Sequence, residues 1–140
     1  MSKWKVYYNP EELKELYSRT SYNLKKDIKD IKEEQLQDIS EEIARQLHFG
    51  FVKGSTEIYF GKNRKASYAK IRIIDCKKEE GKSSGFRCIV LIDYTHEAAF
   101  MMHLYKHGKK ATDRIKQGEK NKLKALVDDY IESIEHEESI

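Results

Sequence analysis

The apolar positions change their spacing along the chain, and the changes divide it into three stretches. From Leu13 the period is helical. Leu13, Leu16 and Tyr17 share a face, followed by Leu24, Ile28 and Ile31, and a second phase takes over at Leu36, Ile39, Ile43 and Leu47. The slip at residues 32–35 predicts two helices, or one long helix with a bend. Pro10, Glu11 and Glu12 make a good start, because proline fits a first helical turn and carboxylates favour the positive end of the helix dipole. Gly50 is placed to close the region as a C-cap. A short strand-like run, residues 4–8, lies ahead of it.

From residue 57 the period drops towards two. Residues 57–60 suit a short strand. Residues 68–75 alternate, with Ala69, Ile71 and Ile73 on one face and Tyr68, Lys70, Arg72 and Ile74 on the other. Residues 86–94 and 98–105 are β-rich, with Phe100, Met101 and Met102 as strand core, and the tight Thr95-His-Glu connection joins them as a hairpin. Gly81-Lys-Ser-Ser-Gly marks the turn before them. The last stretch puts Leu123, Leu126, Val127, Tyr130, Ile131 and Ile134 on one stripe of an amphipathic helix. The predicted order is a short strand, two helices, three or four strands and a C-terminal helix. That is an α+β fold with helices segregated from a twisted antiparallel sheet.

Length and composition agree with one domain, residues 1–140. There is no internal repeat, low-complexity tract or linker, and 140 residues suit a single core. Charged residues make up 36% and hydrophobic ones 39%, enough for a modest core. No run approaches the ~20 apolar residues of a membrane span. The start, MSKWKVYYNPEEL, lacks the apolar region of a signal peptide. The expectation is a cytoplasmic protein with no membrane partner. Cys76 and Cys88 are then expected as reduced, half-buried strand residues, and their spacing is poor for a metal.

Charge changes the picture more. The formal net charge is +3, yet residues 62–124 carry 17 Lys/Arg against 7 Asp/Glu. Such a concentration is an electrostatic footprint for a polyanion. Several familiar sites are absent from the sequence: GxxxxGK[ST], GxGxxG, HExxH and GxSxG. His48, His96, His103, His107 and His136 show no metal-ligand spacing, so neither metal nor cofactor is expected. Lys70 and Arg72 share one strand face, and Arg87 opens the next strand. A hairpin between those strands brings Arg87 within reach of both. Lys106 and His107 leave the following strand, with Lys109 and Lys110 just beyond. A sheet face of this kind is suited to holding a phosphate and stabilising charge that develops on it.

Three segments, Tyr68-Ala-Lys-Ile-Arg-Ile, Ser83-Ser-Gly-Phe-Arg-Cys-Ile-Val-Leu-Ile and Ala99-Phe-Met-Met-His-Leu-Tyr-Lys-His-Gly-Lys-Lys, resemble the RelE/ParE superfamily of toxins from type II toxin–antitoxin systems. HigB and RelE are the nearest in flavour. The marks are a K-I-[KR] strand, an S-G-[YF]-R lead-in to the next strand and a third strand ending in a basic cluster; the resemblance covers residues 68–134. It implies a ribosome-dependent endoribonuclease that cuts mRNA without a metal, by attack of a ribose 2′-hydroxyl on the adjacent phosphate. Carried over position by position, Lys70 is a base or electrostatic stabiliser, Arg72 its basic neighbour and Arg87 the holder of the scissile phosphate. His107 is the favoured acid, with Lys106 the other candidate at that position. Lys82, Lys106, Lys109 and Lys110 would bind RNA, and Tyr68 or Tyr105 would stack on a base. The family's C-terminal stacking tyrosine has no counterpart in residues 111–117, and residues 77–81 form an insertion. The resemblance also implies a cognate antitoxin, a toxin–antitoxin hetero-oligomer, and the ribosome with its mRNA as target. Two other readings stay open: a ParE-type inhibitor of DNA gyrase, and a non-catalytic nucleic-acid-binding relative.

Overall fold

Among the described residues, helix- and strand-forming stretches build nine elements: β1 (Lys5–Tyr7), α1 (Lys14–Ser18), α2 (Leu24–Asp27), α3 (Glu33–His48), β2 (Thr56–Phe60), β3 (Ala66–Ile73), β4 (Phe86–Asp93), β5 (Ala98–Lys106) and α4 (Gln117–Glu138). The computed structural model describes residues 3–50, 56–73, 85–106 and 114–139. The class is α+β, and the five strands form one sheet in the order β1-β5-β4-β3-β2. β2, β3, β4 and β5 pair antiparallel. β1 pairs parallel with β5, Val6 facing Ala99, so the short first strand joins the sheet, which is mixed and five-stranded rather than an antiparallel sheet of three or four strands.

The helices cover both faces of the sheet. β4 reads Phe-Arg-Cys-Ile-Val-Leu-Ile-Asp, nearly continuous in apolar residues, as a strand buried on two sides must. Ile71, Cys88, Val90 and Ile92 pack with Leu36, Ile39, Ile43 and Leu47 of α3. Tyr68, Ile89 and Leu91 pack on the other face with Leu123, Leu126, Val127 and Ile131 of α4. Each fully buried aliphatic side chain contributes about 1.5–3 kcal/mol, so this stripe carries the docking of α4. Cys88 is wholly buried rather than half-buried, and burial pushes its thiol pKa up.

The helical phase over residues 13–31 yields two short helices, because polar side chains there take the backbone for themselves. Ser18 Oγ donates to the Glu15 carbonyl, Thr20 Oγ1 to the Tyr17 carbonyl, and Asn23 Oδ1 caps α2 by accepting from Lys26 N–H. These local bonds compete with a continuing helix. α3 then begins at Glu33, where the phase slips. It ends at His48, and Gly50 sits just beyond at φ +83°, a left-handed position suited to glycine.

Residues 13–31 also wrap the edge of β5. β1 stops pairing at Tyr7–Phe100. Past that point the Tyr17 hydroxyl donates to the Met101 carbonyl at 2.7 Å, and Asp27 Oδ2 accepts from Leu104 N–H at 3.1 Å. Backbone groups that would invite another strand are satisfied by side chains instead.

β5 carries a bulge. Ile89 faces His103 and Val90 faces Met101, so Met102 is an extra residue. Met101 therefore enters the α3 core and Met102 the α4 core. Unbroken alternation through Met101, Met102 and His103 would put His103 on the α3 face with Met101; the bulge keeps it on the α4 face, the re-aiming such irregularities produce. Among the described residues, no helix is long and apolar enough to cross a membrane.

Candidate functional site

Two rows of side chains cross the α4 face of the sheet, just beyond the start of that helix. In the first, Arg72 of β3 lies directly opposite Arg87 of β4, and Arg87 opposite Tyr105 of β5. In the second, Lys70 faces Ile89 and Ile89 faces His103. The expected hairpin does bring Lys70, Arg72 and Arg87 to one face. Arg72 is exposed and Arg87 half-buried. Two guanidinium-bearing side chains thus stand side by side on this face.

Lys70 differs from the arginines. It is only 7% exposed, and its ammonium lies 3.2 Å from Glu57. Glu57 also accepts from Ile115 N–H at 3.1 Å and faces the Lys120 ammonium at 3.3 Å. Burial works to raise the Glu57 carboxyl, but the Ile115 N–H and the two lysines outweigh it and hold its pKa below the usual range. Glu57 adopts φ +52°, a left-handed conformation costly for a side chain of this kind. Lys70, Glu57 and Lys120 thus tie β3, β2 and the start of α4 together, and the Lys70 amine is engaged in that tie.

The remaining sequence-derived positions separate. Tyr68 lies on the expected face, but α4 covers it to 2% exposure, so its ring is core, whereas Tyr105 is half-buried. Lys106 pairs with Phe86, and its ammonium sits 5.8 Å over that ring. That is the face opposite Arg87, so the structure does not bring Lys106 to the arginine row. His107, Lys82, Lys109, Lys110 and Cys76 lie outside the described residues.

Beside the arginine row is a cleft of about 410 Å³, whose lining includes Tyr22, His103, Tyr105, Arg114, Lys116 and Glu119. His103 stands between two rings: Tyr22 stacks on it at 4.7 Å and 12°, Tyr105 at 4.9 Å and 26°. Its Nδ1 lies 2.8 Å from Asp27 Oδ2. Burial first, and then the negative charge of Glu119, push the Tyr22 phenol pKa up, so Tyr22 is a neutral ring at physiological pH. Ser21 ties this loop to α4 by donating from its hydroxyl to Glu119. Sequence reasoning passes over His103, Asp27 and Tyr22. The available signal is the spacing of His103 and Tyr105, two apart on a strand and therefore on one face.

The chain matches no protein-family model, no curated protein and no solved structure.

Proposed function

We propose that the protein is an RNA-cleaving toxin of the RelE/HigB kind, a cytoplasmic endoribonuclease acting on mRNA in the ribosome and held in check by a cognate antitoxin in a hetero-oligomer. The observation that carries the reading is the direct opposition of Arg72 and Arg87 at the exposed end of the sheet, next to the Tyr105 ring. A pair of guanidinium groups grips a phosphate by paired N–H donors and remains charged at any physiological pH. An adjacent aromatic ring suits a base on the same strand of RNA. The S-G-F-R lead-in to β4, which puts Arg87 at that position, is the strongest element of the resemblance, and the basic balance of residues 62–124 supports a polyanionic target.

In this chemistry the 2′-oxygen attacks phosphorus, the bond to the 5′-oxygen breaks, and the products end in a 2′,3′-cyclic phosphate and a 5′-hydroxyl. Arg87 holds the phosphate, and Arg72 adds charge that the developing transition state uses. Lys70 acts at one remove, by fixing Glu57 and the start of α4.

The test is primer-extension mapping of an mRNA in a purified translation system, with wild-type protein beside Arg87→Ala. Cleavage at A-site codons that needs ribosomes and is lost in Arg87→Ala is the expected result. A wild-type protein that arrests growth but leaves mRNA intact overturns the nuclease reading, and gyrase supercoiling is then the activity to assay.

A further inference from the structure

Resting on that reading, we infer that His103 is the proton-transfer residue of the cleavage site and Asp27 its positioning residue. The sequence resemblance points past β5 for this role, to His107; the geometry points inside the strand.

Three independent features converge on His103. The first is orientation. The Nδ1–H donates to Asp27 Oδ2 at 2.8 Å, which leaves Nε2 with the lone pair that accepts a proton. Asp27 is itself fixed, since the same oxygen accepts Leu104 N–H at 3.1 Å. The second is confinement. Two stacked tyrosine rings permit little rotation of the imidazole, so its direction is set before substrate arrives. The third is position. His103 lines a cleft and retains 29% exposure of its side chain, and Arg87 lies on the neighbouring strand, two residues from Ile89, the partner of His103. Diagonal neighbours across an antiparallel pair lie about 7–8 Å apart, within reach of long side chains.

Among the described residues, the charged and titratable groups around the imidazole are Asp27 from α2, Tyr22 from the preceding loop, Tyr105 from β5, Arg87 from β4, Arg114 and Lys116 ahead of α4, and Glu119 within it. Glu57 is not a rival base, because its carboxylate is engaged by Lys70, Lys120 and the Ile115 N–H.

The ribose 2′-hydroxyl gives its proton to Nε2 as the 2′-oxygen–phosphorus bond forms. The phosphorus–5′-oxygen bond breaks, and its electron pair leaves with the 5′-oxygen, which takes a proton from water. The imidazolium then returns its proton to the hydroxide so formed. No oxidant, metal or further reactant enters.

The experiment is single-turnover cleavage on ribosomes programmed with mRNA, paired with binding to ribosomes whose mRNA carries a 2′-deoxy nucleotide at the scissile position. His103→Ala, His103→Gln, Asp27→Asn and Arg87→Ala are compared with wild type, with thermal melts to establish folding. His103→Ala and His103→Gln should lose about 100-fold or more in rate and keep wild-type affinity for the uncleavable complex. Added imidazole should restore part of the His103→Ala rate, which a merely structural role would not allow. Asp27→Asn, which retains an acceptor for Leu104 N–H, should lose rate without losing affinity and gain nothing from imidazole. Wild-type rates in both His103 variants, with Arg87→Ala inactive, overturn this inference and leave the nuclease reading standing. Loss of rate together with binding and without rescue also overturns it. A wild-type protein that cuts nothing removes both.

Discussion

Two histidine–carboxylate pairs lie along the β4–β5 hairpin, and the bond lengths do not tell them apart. His96 Nδ1 lies 2.7 Å from Asp93 Oδ2 in the turn before the strand, and His103 Nδ1 lies 2.8 Å from Asp27 Oδ2 within it. The surroundings differ. Asp93 is wholly buried and collects the His96 N–H at 2.9 Å and the Tyr130 hydroxyl at 2.9 Å as well. The second nitrogen of His96 faces another carboxylate, Glu137, at 3.3 Å. That pair is a clasp between the β4–β5 turn and α4, with both imidazole nitrogens committed. At the other pair the carboxylate serves one ring and one backbone N–H, and the ring borders a cleft lined by Arg114, Lys116 and Glu119. The role of such a pair is decided by what its outer nitrogen meets.

Removing the carboxylates should separate the two most sharply. Asp93→Ala leaves the Tyr130 hydroxyl without its acceptor and dissolves the turn, and should cost about 3 kcal/mol in urea unfolding. Asp27→Ala removes the partner of Leu104 N–H at the sheet edge and should cost about 1–2 kcal/mol. Equal losses would end the distinction between clasp and site. Tyr130→Phe, which deletes one donor to Asp93 and keeps the ring against Phe100, should cost about 1 kcal/mol and leave mRNA cleavage unchanged.

The same contrast explains what the sequence discloses. The α4 stripe is legible because its period matches one helix face, and five of its six apolar residues are buried. Lys70, Arg72 and Arg87 are legible as neighbours because strand alternation and a hairpin suffice to assemble them. Alternation assigns a face, however, and does not say what covers it: Tyr68 and Lys70 share the face of Arg72, but only Arg72 extends beyond α4. Asp27 and His103 are 76 residues apart, and their meeting depends on the Met102 bulge and on the wrap of residues 13–31 around β5. Neither is written in a periodicity. The parallel pairing of β1 is equally non-local, since a three-residue strand carries no mark of its partner. Lys106 fails by one residue of phase, which sends it to the Phe86 side.

The smallest expected effect is the pH dependence of the clasp. The hydrogen bond to Asp93, then its charge, and then Glu137 raise the His96 pKa above its ordinary value. A group whose pKa is higher folded than unfolded binds its proton more tightly in the native state, so its stabilisation is complete below the unfolded pKa near ~6.5 and is lost as pH rises through the folded value. The melting-temperature advantage of wild type over His96→Gln should therefore be largest near pH ~6 and shrink by pH ~9. The ring is about half exposed, with 49% of its side chain open to solvent, so screening keeps the change to a few degrees and added salt should reduce it further. Tyr130 does not interfere, because burial and Asp93 raise its pKa well above this range. An advantage that stays constant between those pH values would mean that the charged imidazole contributes nothing to the clasp, and that the Asp93 bonds to the His96 N–H and to Tyr130 hold the turn without it.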